Sequence, residues 1–497
     1  MKKNLMTLAA VLCCAITMAV LTACTTDNID NPGHNEEVWN PKENVFPYTY
    51  KGQTLYYRLK TDSLTHQTYA ICSYPTLIPN TLETLWDGYA KPVGDVEIPG
   101  TVTYKGQSYP VLDVGRCAFI YCDEITSVTV PDGVFKLGNG VFAYCSALQS
   151  VSLPSTLKTI DNSAFNCCIS LTSVNLPTGI QTIENFTFYN CESLTSVVIP
   201  EGVDSIGKSA FAYCYELQSV SLPSTLTAIG ENAFYHDSLL TEITIPQNVK
   251  TIGQCAFEGC VNLPSVNLPT GIQTIEGWSF YHCESLASVV VSEGVDSIGK
   301  SAFAHCYKLQ SVSLPSTLTA LGEYAFFHDS LMTEITIPQN VKTLGHSALR
   351  TCTSLTSITL PDEMASIGEW CFADDSLLTA ITLPVGIDSI GEGTFFKCKG
   401  LESITVPEGL KTIGYRAFVY CTSLKTIKLP QSLTEIGNYA FYKCDDIETI
   451  TLDCTTPPST LEKSFSSYNA TLYVPVGSIE AYRQHDVWGK FENIVEL

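Results

Sequence analysis

The chain has 497 residues, a formal net charge of −23, 45% apolar residues and only 15% charged ones. That composition supports a folded core. The acidic surplus argues against nucleic acid and anionic lipid as electrostatic partners, since like charge repels both.

The chain opens with Lys2 and Lys3, a mainly apolar run from Leu5 to Leu21, and then Leu21-Thr22-Ala23-Cys24. A charged start followed by an apolar run is a targeting segment and stays outside the fold. The ending resembles a bacterial lipobox, which implies cleavage before Cys24 and a lipid thioether on that cysteine. Residues 1–23 therefore read as a lipoprotein signal peptide. Residues 24–44 are polar and acidic, carry Asn31-Pro32-Gly33, and read as a flexible tether. An acidic stretch soon after a lipidated cysteine resembles surface-exposed lipoproteins of the Bacteroides group. It implies export, a lipid anchor in the outer membrane as the only membrane contact, and exposure to the medium.

Residues 45–114 are rich in Tyr, Thr and Val, and Lys51-Gly52 and Lys105-Gly106 read as hairpin turns. This is a β-rich N-terminal cap. From 115 to 453 the sequence repeats. The Phe of an Ala-Phe pair returns every 23 residues or a multiple of it, from Phe119 to Phe441, with Leu349 in one place, for fifteen frames. A fixed period without insertions predicts identical units stacked as a solenoid. In one frame, Val220 and Leu222 alternate as in a strand, Pro223 ends it, Leu226 and Ile229 follow at spacing three, and Gly230 permits a bend. The frame is Leu-x-x-Val-x-Leu-Pro-x-x-Leu-x-x-Ile-Gly-x-x-Ala-Phe-x-x-Cys. It resembles the BspA-like class of leucine-rich repeats, which implies an α/β-type repeat solenoid with a parallel strand per repeat, and a role in adhesion. A shift of 92 residues, four frames, maps Val174–Phe257 onto Val266–Leu349. Such duplication lengthens a surface. Residues 454–497 read as a C-terminal cap, with a strand at Leu472-Tyr473-Val474-Pro475 and an amphipathic helix over 478–491 that turns Tyr482, Trp488 and Phe491 inward.

Three columns carry candidate chemistry. The position three after the Phe is Cys in twelve frames and Asp237, Asp329 and Asp375 in the others. Packed thiols, disulfides and metal ligands are the choices. Parallel stacking and tolerance of Asp favour packed thiols, with Asp fitting only where N–H groups face it. The position two after the Phe holds Tyr121, Tyr144, Tyr213, His236, His282, His305 and His328, a candidate partner stripe at exposed turns. Imidazoles spaced about 4.8 Å make a poor zinc cage, so no metal is expected. The outward strand positions are hydroxyl columns, including Ser219, Ser221, Thr244, Ser311, Ser313 and Thr336, suited to shallow contact with a protein or a glycan. No nucleophile, metalloprotease or phosphate-loop motif is present, and neither catalysis nor a cofactor is expected. The expected function is non-enzymatic binding of a host or neighbouring-cell surface or matrix protein, with a glycan as the second partner class.

Overall fold

A single turn shows how the sequence makes the fold. Leu309, Leu318, Leu321, Ala325 and Phe326 are buried, whereas Ser311 and Ser313 on either side of Val312 are exposed. No turn can bury such a face alone, so each lies on the next. Ser288–Val290 pairs in parallel with Ser311–Ser313, residue for residue at a separation of 23. The computed structural model describes residues 45–75 and 82–497. Cys24 and the tether lie outside them. The described chain falls into two units, one ending at Leu226 and one starting at Thr227. Each is a stretch of parallel β-solenoid, and the turns number about 17 in all.

Two details differ from the sequence reading. Each turn has two strands where one was expected. The segment read as a return path contains a second ladder, in which Ser297–Ile298, Ala320–Leu321 and Thr343–Leu344 stack in parallel. Two residues are too few to show an alternation in sequence. The glycine after this strand is there for room: a Cβ on Gly322 would lie 2.7 Å from the Gly299 carbonyl carbon. The repeats also contain no α-helix; among the described residues the only one is α1 (Ile479–Arg483).

The bend around the Phe alternates two kinds of hydrogen bond. Ser301, Phe303 and His305 donate N–H to the next turn, at Glu323, Ala325 and Phe327, while Ala302 and Ala304 donate within their own turn, to Gly299 and Ser301. This pattern requires left-handed residues two before and two after the Phe. Both positions have positive φ in all fifteen frames, and most are not glycine. Each costs about 1–2 kcal/mol for an ordinary side chain, and β-branched residues are the worst placed. Thr351 sits there with φ 65°. Thr351→Asn is therefore expected to stabilise the chain by about 0.5–1 kcal/mol, because Asn tolerates this region. Urea denaturation of both proteins checks it.

At the N-terminal end, β1 (Phe46–Tyr50) and β2 (Gln53–Thr61) are joined through Lys51-Gly52, and β5 (Thr101–Tyr104) and β6 (Gln107–Val114) through Lys105-Gly106. Both turns have positive φ at both residues, the hairpin geometry that follows strand twist. β3 (Thr68–Ser73) and β6 then pair in parallel, and β6 pairs with Lys136–Leu137, so the second-strand ladder starts inside the cap.

At the other end, Thr449–Leu452, Thr471–Val474 and Asn493–Glu496 continue the first ladder. Tyr482, Trp488 and Phe491 are buried as expected. The helix is much shorter than 478–491, because His485 Nδ1 accepts the Val487 and Trp488 N–H groups and halts the helical ladder. Tyr482 and Trp488 instead anchor the segment by donating to the Cys454 and Pro458 carbonyls at 2.7 and 2.9 Å.

Candidate functional site

The cysteine column lies in the core. The thiol of Cys283 donates to the Phe257 carbonyl at 3.3 Å, that of Cys306 to Phe280 at 3.4 Å and that of Cys398 to Phe372 at 2.9 Å. In the first unit Cys145, Cys168, Cys191 and Cys214 do the same to Phe119, Phe142, Phe165 and Phe188. Each carbonyl belongs to the turn before. All cysteines among the described residues are free. Burial pushes the Cys283 and Cys306 thiols up, so the nucleophilic thiolate is disfavoured there. The packed-thiol reading therefore holds, and the thiol adds a weak stitch between turns.

Asp329 and Asp375 replace this stitch with another. Their Oδ1 atoms accept the Cys306 and Cys352 N–H groups at 2.9 and 2.8 Å. Their Oδ2 atoms are buried without a partner. Desolvation raises both carboxyls well above the usual carboxylate range.

The candidate Tyr and His residues two after the Phe are half-buried and backbone-strained, where exposed turns were expected, whereas Lys397 and Tyr420 of the same column are exposed. In the first unit Tyr121 and Tyr144 stack at 4.7 Å, and Tyr213 meets Tyr189 and Tyr215 edge-on at 5.4 and 5.9 Å. In the second unit, His236 lies over Gly259, which leaves room for the ring. His282 stacks on His305 at 4.6 Å, and His305 meets His328 edge-on at 5.1 Å. Burial, then His282 and His328, lowers His305 to about 4. Burial also lowers His236 and His282, the latter against the pull of Glu284. The neutral form is therefore favoured at His236, His282 and His305. Sequence reasoning missed Tyr307, which hydrogen-bonds His305 and packs against both flanking histidines. Its signal was the spacing of two residues, which also brings Tyr213 to Tyr215.

The strand face is open. Ser219 pairs with Ser196 and Ser221 with Val198 in the first unit. In the second, Ser311 pairs with Ser288, Ser313 with Val290 and Thr336 with Thr359. Ser221, Ser311, Ser313 and Thr336 are exposed, and Ser219 is half-buried. Thr244 lines a shallow depression with Glu242, Ser265 and Asn267. The hydroxyl columns and the ring column thus run through the repeats as separate features, with Val198 and Val290 as exposed apolar points on the strand face.

A family model described as the BspA type leucine rich repeat region matches residues 113–241, 227–355 and 347–470. A crystal structure of a leucine-rich repeat protein from Bacteroides ovatus is similar at 24% identity, over 89% of this chain and 98% of that one, with a TM-score of 0.56. A leucine rich cell surface protein from Faecalibacterium prausnitzii matches at 28% identity, over 72% and 94% of the two chains, with a TM-score of 0.45. No protein of curated function matches the sequence.

Proposed function

The chain belongs to the family of BspA-type leucine-rich repeat proteins, and from that membership we propose a cell-surface lipoprotein that binds a protein partner along its strand face without catalysis. Leucine-rich solenoids of this type are typically binding scaffolds at the surface. The observation that carries the reading is the in-register exposure of hydroxyls on successive first strands. Such a surface offers many shallow contacts. Ladder hydrogen bonds between turns hold it rigid, which limits the ordering cost of binding. The partner is a host or neighbouring-cell surface or matrix protein, and a lipid on Cys24 would leave the repeats free to reach it.

The test is a binding screen of the full chain against matrix proteins and glycans. Binding to a protein is expected, with affinity falling about tenfold or more in the quadruple variant Ser288→Arg, Ser311→Arg, Thr336→Arg, Thr359→Arg. These side chains project outward and leave the core intact. Absence of binding to both classes sinks the proposal. The stacked pair Tyr121–Tyr144 favours a second reading, a glycan-binding protein of a polysaccharide uptake system, since sugar sites use aromatic platforms. Glycan binding that survives the strand-face variant and is lost in Tyr121→Ala or Tyr213→Ala selects that reading.

A further inference from the structure

The geometry points to a transition-metal site at His305, His328 and Tyr307, taking a divalent ion of the zinc, copper or nickel class. His305 Nδ1 lies 3.3 Å from His328 Nδ1 and 3.0 Å from the Tyr307 hydroxyl. Equivalent Cα atoms of adjacent turns stand about 4.8 Å apart and the two ring centroids 5.1 Å, so the 3.3 Å between the Nδ1 atoms means that the two rings turn these atoms toward each other. Backbone placement brings the rings side by side, and their side-chain torsions turn the two Nδ1 atoms together. Both residues are held left-handed, with φ 63° and 67°, and both N–H groups are fixed to the following turn, at Phe327 and Arg350.

Hydrogen bonding alone serves this cluster poorly. An imidazole Nδ1 carries one proton or one lone pair. His305 Nδ1 therefore satisfies one neighbour fully and must share with the other. A metal resolves the conflict by accepting lone pairs from both rings. With metal–nitrogen bonds of about 2.0–2.1 Å, two nitrogens 3.3 Å apart subtend about 105–110°, close to the tetrahedral angle. The Tyr307 oxygen, 3.0 Å from His305 Nδ1, would subtend about 95° with that nitrogen on the same basis and is the candidate third ligand. Imidazole donors select the zinc, copper and nickel class over magnesium and calcium. On binding, the ring that carries its proton on Nδ1 moves it to Nε2. His282, stacked on His305 with 6° between planes, fixes the orientation of the ring. Among the described residues no three His, Cys, Asp or Glu side chains form a metal group. The site therefore rests on two imidazoles and a phenol, with water completing the shell.

The experiment uses the purified full chain after chelator treatment. Zn2+ is titrated in competition with a chromophoric chelator, and Cu2+ is added for electron paramagnetic resonance. One Zn2+ site is expected that weakens about tenfold or more in His305→Ala and in His328→Ala. Two nitrogen couplings are expected on Cu2+ in the parent and one in each variant. His328→Gln keeps the ring's volume, so its loss of the site separates metal binding from packing. His346→Gln is the control and keeps the site. Unchanged zinc competition in the His305→Ala, His328→Ala double variant, or an unchanged copper spectrum, overturns the assignment.

Discussion

Phe280→Ala is expected to cost about 3–5 kcal/mol, the upper range for core truncation. Phe280 is fully buried, and its ring stacks on Phe257 at 5.4 Å and on Phe303 at 5.3 Å. The substitution removes both ring contacts, each worth about 0.5–1.5 kcal/mol beyond buried area. It also leaves a cavity that cannot close. Its walls are turns pinned by the Phe280 N–H to the Ala302 carbonyl and by the Cys306 thiol to the Phe280 carbonyl. Phe280→Leu is expected to cost clearly less, because Leu349 fills the equivalent place and is equally buried. In a solenoid each turn touches only its neighbours, so the damage stays local. Hydrogen exchange should therefore show lost protection in the flanking turns and little change several turns away. Equal costs for the Ala and Leu variants would mean that refilling the space recovers nothing and that the whole cost is loss of the ring contacts.

The same ladder shows why so much of the fold was legible. A constant period of 23 puts each residue above its own equivalent, so one frame specifies the core of all of them. Phe, Cys and Leu columns were readable for that reason, whereas the two Lys-Gly hairpins and the inward faces of Tyr482, Trp488 and Phe491, outside the period, were readable from turn residues and amphipathic spacing. Phe465 was not. It stacks on Phe441 at 5.3 Å with 6° between planes and adds another rung, but it stands 24 residues on, and a strict period passes over it. The left-handed positions were hidden too. The sequence there holds Tyr, His, Ser and Trp where glycine would have marked them, because inter-turn hydrogen bonds impose the conformation whatever the side chain. The candidate site suffers from the same limit. The sequence places His305 and His328 in one column, yet whether two rings stand parallel, like His282 and His305, or turn their Nδ1 atoms together depends on side-chain torsions that no spacing encodes.

Asp375→Cys is expected to stabilise the protein at neutral pH by a margin that vanishes on acidification. In most frames this position is a thiol that donates to a carbonyl of the preceding turn. Asp375 instead accepts the Cys352 N–H through Oδ1 and buries Oδ2 with no partner. Desolvation holds its carboxyl well above the usual range, and Asp374 adds to this, although the Cys352 N–H favours the anion. The sign follows from proton counting. Between the unfolded and the folded value the folded chain keeps a proton that the unfolded chain releases, so stability falls as pH rises above the unfolded value of about 3.9, at up to about 1.4 kcal/mol per pH unit until the folded value is reached. Below the unfolded value both states are protonated and the cost is absent. A thiol at 375 removes the slope and restores the stitch, here to the Leu349 carbonyl, as Cys398 makes it to Phe372. Urea denaturation of parent and variant across about pH 4 to 7 measures the difference. It should rise with pH in favour of the variant. A flat difference would show that Asp375 enters the core as an anion held by the Cys352 N–H alone. A falling difference would mean that the carboxylate is better stabilised inside the protein than in water, which desolvation at a fully buried site opposes.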